Sequence, residues 1–164
     1  MAEEGKKRVQ KIELFLTDIS SVVCLAVTFM IVLDIALRYL FNKPLPASWE
    51  ISEVLMPYIV FFPLAYTLSI GGHVRVSFIK ERVSVKMQNR FDIISNTISF
   101  LFCLMITYWS WLRFWESVIK DETILAAVYV PWWVGKIAMP IGMFLFSLRY
   151  LFCLMKNISQ SKNN

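Results

Sequence analysis

The sequence predicts an all-α integral membrane protein with four transmembrane helices. Of its 164 residues, 57% are hydrophobic and 15% aromatic, whereas only 18% are charged. Runs free of charged residues and histidine occupy residues 19–33, 54–72 and 93–112, and only Lys136 interrupts a fourth run over residues 123–148. A membrane-crossing helix needs roughly 20 apolar residues, so the whole chain, residues 1–164, is predicted to form one membrane domain with four crossings.

The four helices are predicted at about residues 11–39, 50–70, 86–116 and 131–155. The first connection contains Pro44 and Pro46, which cannot continue a helix and force their predecessors into extended conformations. The chain is therefore predicted to turn there and to re-enter the membrane from about Ser48, which is the predicted cap of the second helix.

The second connection begins at Gly71 and Gly72 and contains a short amphipathic segment, predicted to lie at the membrane interface between helices two and three. The third helix, counted from Ser84 to Ile119, would be about 50 Å long. It would exceed the bilayer core, so tilt or projection into water is expected. Pro131 stands at the predicted first position of the fourth helix, where its missing N–H costs nothing.

Basic residues set the predicted orientation, because lysine and arginine are held back on the cytoplasmic side during insertion. In the predicted topology, twelve of the 17 lie on the side of the termini, so both termini are predicted to be cytoplasmic. A cleaved signal peptide is the alternative for the N-terminus. The first apolar segment contains Asp18 and lacks a small-residue cleavage site, which favours an uncleaved helix.

Tryptophan distribution agrees with this topology, since all six indole rings are predicted at the non-cytoplasmic ends of helices. Indole favours the headgroup region, where its apolar body and its N–H are both satisfied. These predicted interfacial anchors are Trp49, Trp109, Trp111, Trp115, Trp132 and Trp133. The net charge of +5 is then explained by basic cytoplasmic loops that face anionic lipid, without a nucleic-acid partner.

Residues with catalytic or metal-binding chemistry are few. The single histidine, His73, excludes a haem held between two histidines of this chain, and it is interpreted as a helix-end residue that bonds backbone carbonyls or a partner. Cys24, Cys103 and Cys153 lie within apolar runs without a C-x-x-C motif, and are interpreted as small buried or lipid-facing residues. The sequence therefore predicts no enzyme activity, no metal and no cofactor.

Acidic residues lie near the helix ends rather than at the bilayer centre. Asp34 precedes Arg38 by four residues, so the two are predicted to neutralise each other near the outer interface. The other helical acids near the ends are Glu13, Asp18, Glu50, Glu53 and Asp92. A solute carrier generally needs a polar site near the midplane. The chain is therefore interpreted as a membrane structure without its own transport site.

Proline and glycine also interrupt two of the predicted helices. Helix two contains Pro57 and Pro63, and helix four contains Pro140 and Gly142. Broken helices surround the substrate site in many carriers. These residues are nevertheless interpreted mainly as sites of kinks and close helix packing.

Three stretches, in this order along the chain, resemble the small membrane subunit of tripartite ATP-independent periplasmic (TRAP) transporters, the DctQ-like or Q subunit. They are "RYLFNKPLPASWEIS", "GGHVRVSFI" and "PWWVGKIAMPIG". The residues that fall on the family pattern, and that the resemblance implies as partner-interface or structural residues, are Arg38, Asn42, Glu50, His73, Pro131 and Pro140.

The resemblance implies a bacterial inner-membrane complex. In such systems a soluble periplasmic binding protein captures an organic acid and a large membrane subunit carries the substrate and sodium sites, while the small subunit braces the large one. Two other functions remain open on the residues alone. One is an independent oligomeric transporter that uses Asp34, and the other is an anchor subunit of a respiratory membrane enzyme.

Overall fold

The computed structural model describes residues 2–70, 85–124 and 129–162. The elements are α1 (Ala2–Phe41), α2 (Ser48–Phe61), α3 (Pro63–Ser69), α4 (Val85–Ile119), β1 (Thr123–Ile124), β2 (Val130–Pro131), α5 (Trp132–Lys136) and α6 (Ala138–Lys162). His73 and the predicted interfacial segment lie outside the described residues.

Four helical spans are long and apolar enough to cross a membrane, which confirms the predicted number. The spans are Arg8–Phe41, Ser48–Ser69, Met87–Ile119 and Trp132–Ile158. The first and third crossings are α1 and α4, the second is α2 with α3, and the fourth is α5 with α6. The first and last helices are longer than predicted. The α1 helix begins at Ala2, and α6 continues to Lys162. At the N-terminal end, alanine, glutamate and lysine favour helix beyond the apolar core.

The first connection is a turn built from two residues in the left-handed conformation. Asn42, with φ 54°, ends α1, and its N–H donates to the Arg38 carbonyl at 3.1 Å. Asparagine tolerates this backbone better than most residues. Ala47, with φ 58°, is the N-cap of α2 and makes no side-chain cap bond. The prediction that Ser48 caps this helix was therefore wrong, because the turn at Ala47 already places Ser48 in the first helical turn.

The third connection contains a short antiparallel β-ladder, which the all-α prediction did not include. Thr123 pairs with Pro131 and Ile124 with Val130. Strands of two residues have no periodic pattern from which they can be predicted. The ladder keeps Pro131 extended, with ψ 125°, so Pro131 is the N-cap of α5. The prediction that Pro131 is the first helical residue was therefore wrong.

Prolines break the second and fourth crossings, as the kink interpretation expected. Pro63 separates α2 from α3. The break between α5 and α6 lies just before Pro140, which stands four residues after Lys136, the last residue of α5. Proline has no N–H, so it cannot bond the carbonyl four residues earlier. Pro57 lies inside α2 without a break.

Two glycines allow the second and fourth crossings to approach closely. A Cβ atom on Gly135 would lie 2.8 Å from the Val54 carbonyl oxygen, and one on Gly142 would overlap the Phe61 carbonyl. The two glycines are seven residues apart, so they share one helix face. Gly142 is thus a close-packing site, as interpreted from the sequence, and small residues are the usual means of helix association in membranes.

The crossings pack in a row whose order differs from their order in the chain. The closest backbone contacts join α1 to α2 and α3, join these to α5 and α6, and join α6 to α4 along its length. The order is therefore first, second, fourth, third. A buried cluster of Ala65, Cys103, Met143 and Phe146 lies between α3, α4 and α6. As a result, α1 and α4 form the two edges of the row.

Candidate functional site

The buried face of α1 carries polar residues at a seven-residue spacing. Glu13, Ser20, Val27 and Asp34 are 0%, 4%, 4% and 8% exposed. Seven residues are close to two helical turns, so all four lie on one face. Glu13, Ser20 and Asp34 are called the polar ladder below. Each of them bonds a different part of the chain.

Glu13 forms a buried ion pair with Arg149 of α6. Nε of Arg149 lies 2.6 and 2.9 Å from the two carboxylate oxygens, and Nη2 lies 2.5 Å from one of them. The side chains are 0% and 4% exposed. A guanidinium that binds both carboxylate oxygens fixes the geometry as well as the charge. The pair therefore ties the first crossing to the fourth, and its end of the row is called the terminal end.

Ser20 compensates for the proline break in the second crossing. Its hydroxyl donates to the carbonyl of Ile59 at 3.1 Å. Pro63 stands four residues after Ile59 and cannot supply the usual helical N–H. The hydroxyl from α1 takes its place, so the break and the packing of α1 depend on each other.

Asp34 closes the first connection at the opposite end of the row, which is called the loop end. One carboxylate oxygen accepts the Leu45 N–H at 2.7 Å, and the other accepts from Arg38 at 2.9 Å. The predicted pairing of Asp34 with Arg38 is confirmed. Both oxygens are engaged in holding the chain turn, which is a structural use of the carboxylate.

Several charged side chains form hydrogen bonds near the C-terminus of α4, at the loop end of the row. Glu116 accepts from Arg113 at 3.0 Å and from Lys120 at 2.6 Å. The hydrogen bond that Lys120 donates to the Glu116 carboxylate raises the pKa of Lys120. Farther along, Tyr129 donates to a carboxylate oxygen of Asp121 at 3.0 Å, and this bond raises the pKa of the tyrosine.

Lys136 is bound at the same end. Its ammonium donates to the Glu122 carboxylate and lies 5.7 Å from the centre of the Trp132 ring. The bond from Lys136 lowers the pKa of the Glu122 carboxyl. Lys136 and Arg149 thus bond acids at opposite ends of the row, about 20 Å apart by helical rise.

A cleft of about 650 Å³ opens between α2, α4 and α5 at the loop end. Its walls are mainly apolar and aromatic, while charged groups from three elements line the same space. Among the lining residues are Pro57, Trp109, Trp132 and Met139, with Arg113 and Lys136. The cleft follows from the row arrangement, because α2 and α4 pack against the fourth crossing from different sides.

The predicted site residues fall into separate places. Arg38, Asn42 and Glu50 lie at the first connection, and Pro131 lies at the third. Pro140 is buried in the first turn of α6, nine residues after Pro131. All six tryptophans belong to the loop-end halves of their crossings or to the adjoining turns. Five of them are exposed, namely Trp49, Trp109, Trp111, Trp115 and Trp133.

Sequence reasoning missed the joint role of Glu13, Ser20 and Arg149. The seven-residue spacing of residues 13, 20, 27 and 34 was a usable signal for one buried face of α1. No local pattern connected Glu13 to Arg149, which is 136 residues away. In the described ranges of the chain, no three histidine, cysteine or acidic residues come together as metal ligands.

The fold and the polar ladder define a membrane protein with four apolar crossings, whose buried polar groups hold its own helices together. Residues 27–159 match the family described as "Tripartite ATP-independent periplasmic transporters, DctQ component", and the chain belongs to this family. This confirms its identification as a small TRAP membrane subunit. It is similar to the ectoine TRAP transporter small permease protein TeaB of Halomonas elongata, with 23% identity over 122 residues. The match includes 74% of this chain but only 63% of that relative's length.

Proposed function

We propose that this chain is the non-catalytic small subunit of a sodium-coupled TRAP importer of organic acids, carboxylates or sulfonates. It braces the large transport subunit in the bacterial inner membrane. Its termini face the cytoplasm, and its loop end, with the tryptophans as interfacial anchors, faces the periplasm and the substrate-binding protein. The similar protein is named for ectoine. In this proposal, the large subunit and the binding protein select the substrate.

The observation that carries this proposal is the distribution of charge along the row. Glu13 with Arg149 lies at one end and Asp34 at the other, and the buried cluster around Cys103 and Met143 between them is apolar. Along α1, Glu13 and Asp34 are separated by about 32 Å, close to the thickness of roughly 30 Å of a bilayer core. The described residues thus supply no buried aspartate, glutamate, lysine or arginine at mid-bilayer depth, where carriers place their polar substrate sites.

Bracing is a mechanical role and requires helices that do not slide against one another. A moving transport domain pushes on whatever stays fixed in the bilayer, and additional fixed helices resist that displacement. Directional bonds join different crossings here at three levels: Glu13 to Arg149, Ser20 to Ile59, and Tyr58 to the Val134 carbonyl. These bonds and the glycine contacts support a rigid unit.

The geometry of Asp34 favours this proposal over an independent transporter. A coupling carboxylate must exchange its partners during transport, whereas both oxygens of Asp34 hold the chain turn. Vesicles that contain only this chain, or its Asp34→Asn variant, are expected to show no solute flux. Ion-coupled flux that the substitution abolishes would instead establish the independent transporter.

Reconstitution tests the bracing role directly. Proteoliposomes with the large subunit and the binding protein are prepared with and without this chain, and sodium-driven uptake of a candidate organic acid is measured. Uptake is expected only when this chain is present. Equal uptake by the large subunit without it would refute the requirement. Visible haem absorbance of the purified chain would point to the respiratory anchor instead.

A further inference from the structure

The exposed face of α1 carries a regular apolar stripe. Phe15, Val22, Leu25, Phe29 and Val32 are 64%, 66%, 72%, 69% and 58% exposed. Residues 15, 22 and 29 are seven apart, as are residues 18, 25 and 32. Alternating steps of three and four residues form a seam on which another helix packs by knobs-into-holes contacts. The α1 stripe below means these five residues together with residue 18.

Asp18 is the one member of the α1 stripe with a charged side chain. It is exposed, and the residues one turn away, such as Leu14 and Val22, offer no cation. Among the residues whose side chains the structure describes, 8–70, 87–123 and 129–158, no group forms a hydrogen bond or ion pair with this carboxylate. Glu13, only five residues earlier, is by contrast fully paired.

The depth of Asp18 makes its exposure significant. By helical rise it lies about 24 Å from Asp34 and about 7.5 Å inward of Glu13. Because Glu13 and Asp34 lie close to one bilayer core apart, Asp18 falls inside the apolar zone. Its short side chain cannot reach back to water as that of a lysine does. An ionised carboxylate in contact with lipid at this depth is costly and normally pairs with another protein group.

The opposite edge of the row differs, because residues 94–105 of α4 contain no charged side chain. The exposed stripe of α4 includes Met87, Ile94, Ile98, Leu101 and Met105, which are 51%, 55%, 63%, 59% and 52% exposed. Lipid tails cover such a surface without cost. Lipid alone can therefore cover the exposed stripe of α4, whereas the α1 stripe needs a covering group that binds the Asp18 carboxylate.

We propose that the α1 stripe docks on a transmembrane helix of the large TRAP subunit, and that this helix carries an arginine or lysine at the depth of Asp18. This inference rests on the proposed function. A second copy of this chain fits poorly, because a symmetric pair through the stripe would place the two Asp18 carboxylates near each other. A helix of the large subunit that carries a cation supplies the opposite charge instead.

Site-specific cross-linking tests the docking face. A photoreactive amino acid replaces Leu25 or Phe29 in α1, or Leu101 or Met105 in α4 as matched exposed controls. Each variant is co-expressed with the tagged large subunit and irradiated. Covalent products of the two subunits are expected from the α1 positions and not from the α4 positions. Products from α4 only, or products that join two copies of this chain, would overturn the proposal.

Removal of the charge gives a second test. Asp18→Leu is expected to lower the fraction of chain that the tagged large subunit retains by about tenfold or more, because the partner cation loses its counter-charge. The melting temperature of the isolated variant in detergent should be unchanged or raised. The matched control Ile98→Leu should leave retention unchanged. Unaltered retention of Asp18→Leu would show that lipid or water, and not the partner, faces this carboxylate.

The outcomes also separate this inference from the function on which it rests. If the wild-type chain is not retained by the large subunit at all, the proposed function fails. If the wild-type chain is retained but the α1 positions give no cross-links, the complex exists and only the docking face is wrong.

Discussion

The two edge helices, α1 and α4, bury different kinds of surface. The α1 helix turns Glu13, Ser20 and Asp34 toward the rest of the protein, and each of these bonds a group elsewhere in the chain. The α4 helix buries Cys103 and Ser110 instead. The Ser110 hydroxyl donates to its own helix, at the Ile106 carbonyl, over 2.6 Å. Its buried polar atom therefore does not connect it to α6.

This difference illustrates two ways of fixing a helix in lipid. Lipid tails are as apolar as leucine, so burial of apolar surface does not by itself hold one membrane helix to another. The position of α1 is fixed by directional polar bonds near its two ends. The α4 helix instead packs on α6 along a mainly apolar seam that contains Cys103, Met143 and Phe146. Substitutions should therefore affect the two edges by different mechanisms.

The largest effect is expected from breaking the buried ion pair of α1. Arg149→Met leaves the Glu13 carboxylate buried without a partner, which should lower the free energy of unfolding by about 3–5 kcal/mol. Thermal melts of the purified chain in detergent would measure this loss. The double variant Glu13→Leu with Arg149→Met should be much less destabilised, because no charge is left unpaired. A double variant as unstable as the single one would contradict this explanation.

A smaller loss of stability is expected at the loop end of α1, and it should be larger for substitution of Asp34 than for substitution of Arg38. Asp34→Ala leaves the Leu45 N–H without its acceptor and should cost about 1.5–3 kcal/mol. The Arg38 side chain is 62% exposed, so Arg38→Ala should lower the free energy of unfolding by at most about 1 kcal/mol. Denaturation of the two variants under the same conditions compares them. Equal losses would mean that the ion pair, and not the backbone bond, holds the turn.

On the α4 edge, overfilling of the seam should destabilise the protein by a comparable or smaller amount. Cys103 is 3% exposed in the cluster with Ala65 and Met143. Cys103→Leu adds volume where α4 meets α6 and should cost about 1–3 kcal/mol. Its exposed neighbour Phe102 supplies the control, since Phe102→Leu should change stability by no more than about 0.5 kcal/mol. A tolerated Cys103→Leu would show that this seam is not closely packed.

The smallest effect is expected from pH at the turn that follows α4. Lys136 lowers the pKa of the Glu122 carboxyl from its ordinary value of 4.5. A lowered folded-state pKa adds stability that is present above 4.5 and is lost as the pH falls through the folded value. Melts of wild type and Glu122→Gln from about pH 7 to about pH 3 should therefore converge at the acid end. A difference that stays constant with pH would rule out the contribution of this carboxylate.

Most of the fold could be predicted because the signals for membrane crossing are local. Long charge-free runs indicate the four crossings, and proline breaks show where helices kink, as at Pro63 and Pro140. The pairing of Asp34 with Arg38 was also predictable, since residues four apart share a helix face. The N-caps at Ala47 and Pro131 were missed by one residue, because each depends on the conformation of the whole turn.

By itself, the sequence determined that this protein is a four-crossing membrane subunit of the TRAP family, because apolar length and short motifs are properties of neighbouring residues. Only the tertiary structure decided that the fourth crossing lies inside the row and that Arg149 bonds Glu13. The physical reason is that lipid and protein accept the same apolar side chains. The order of helices is then selected by a few distant contacts, such as a buried charge that finds its partner and a glycine that admits a backbone carbonyl.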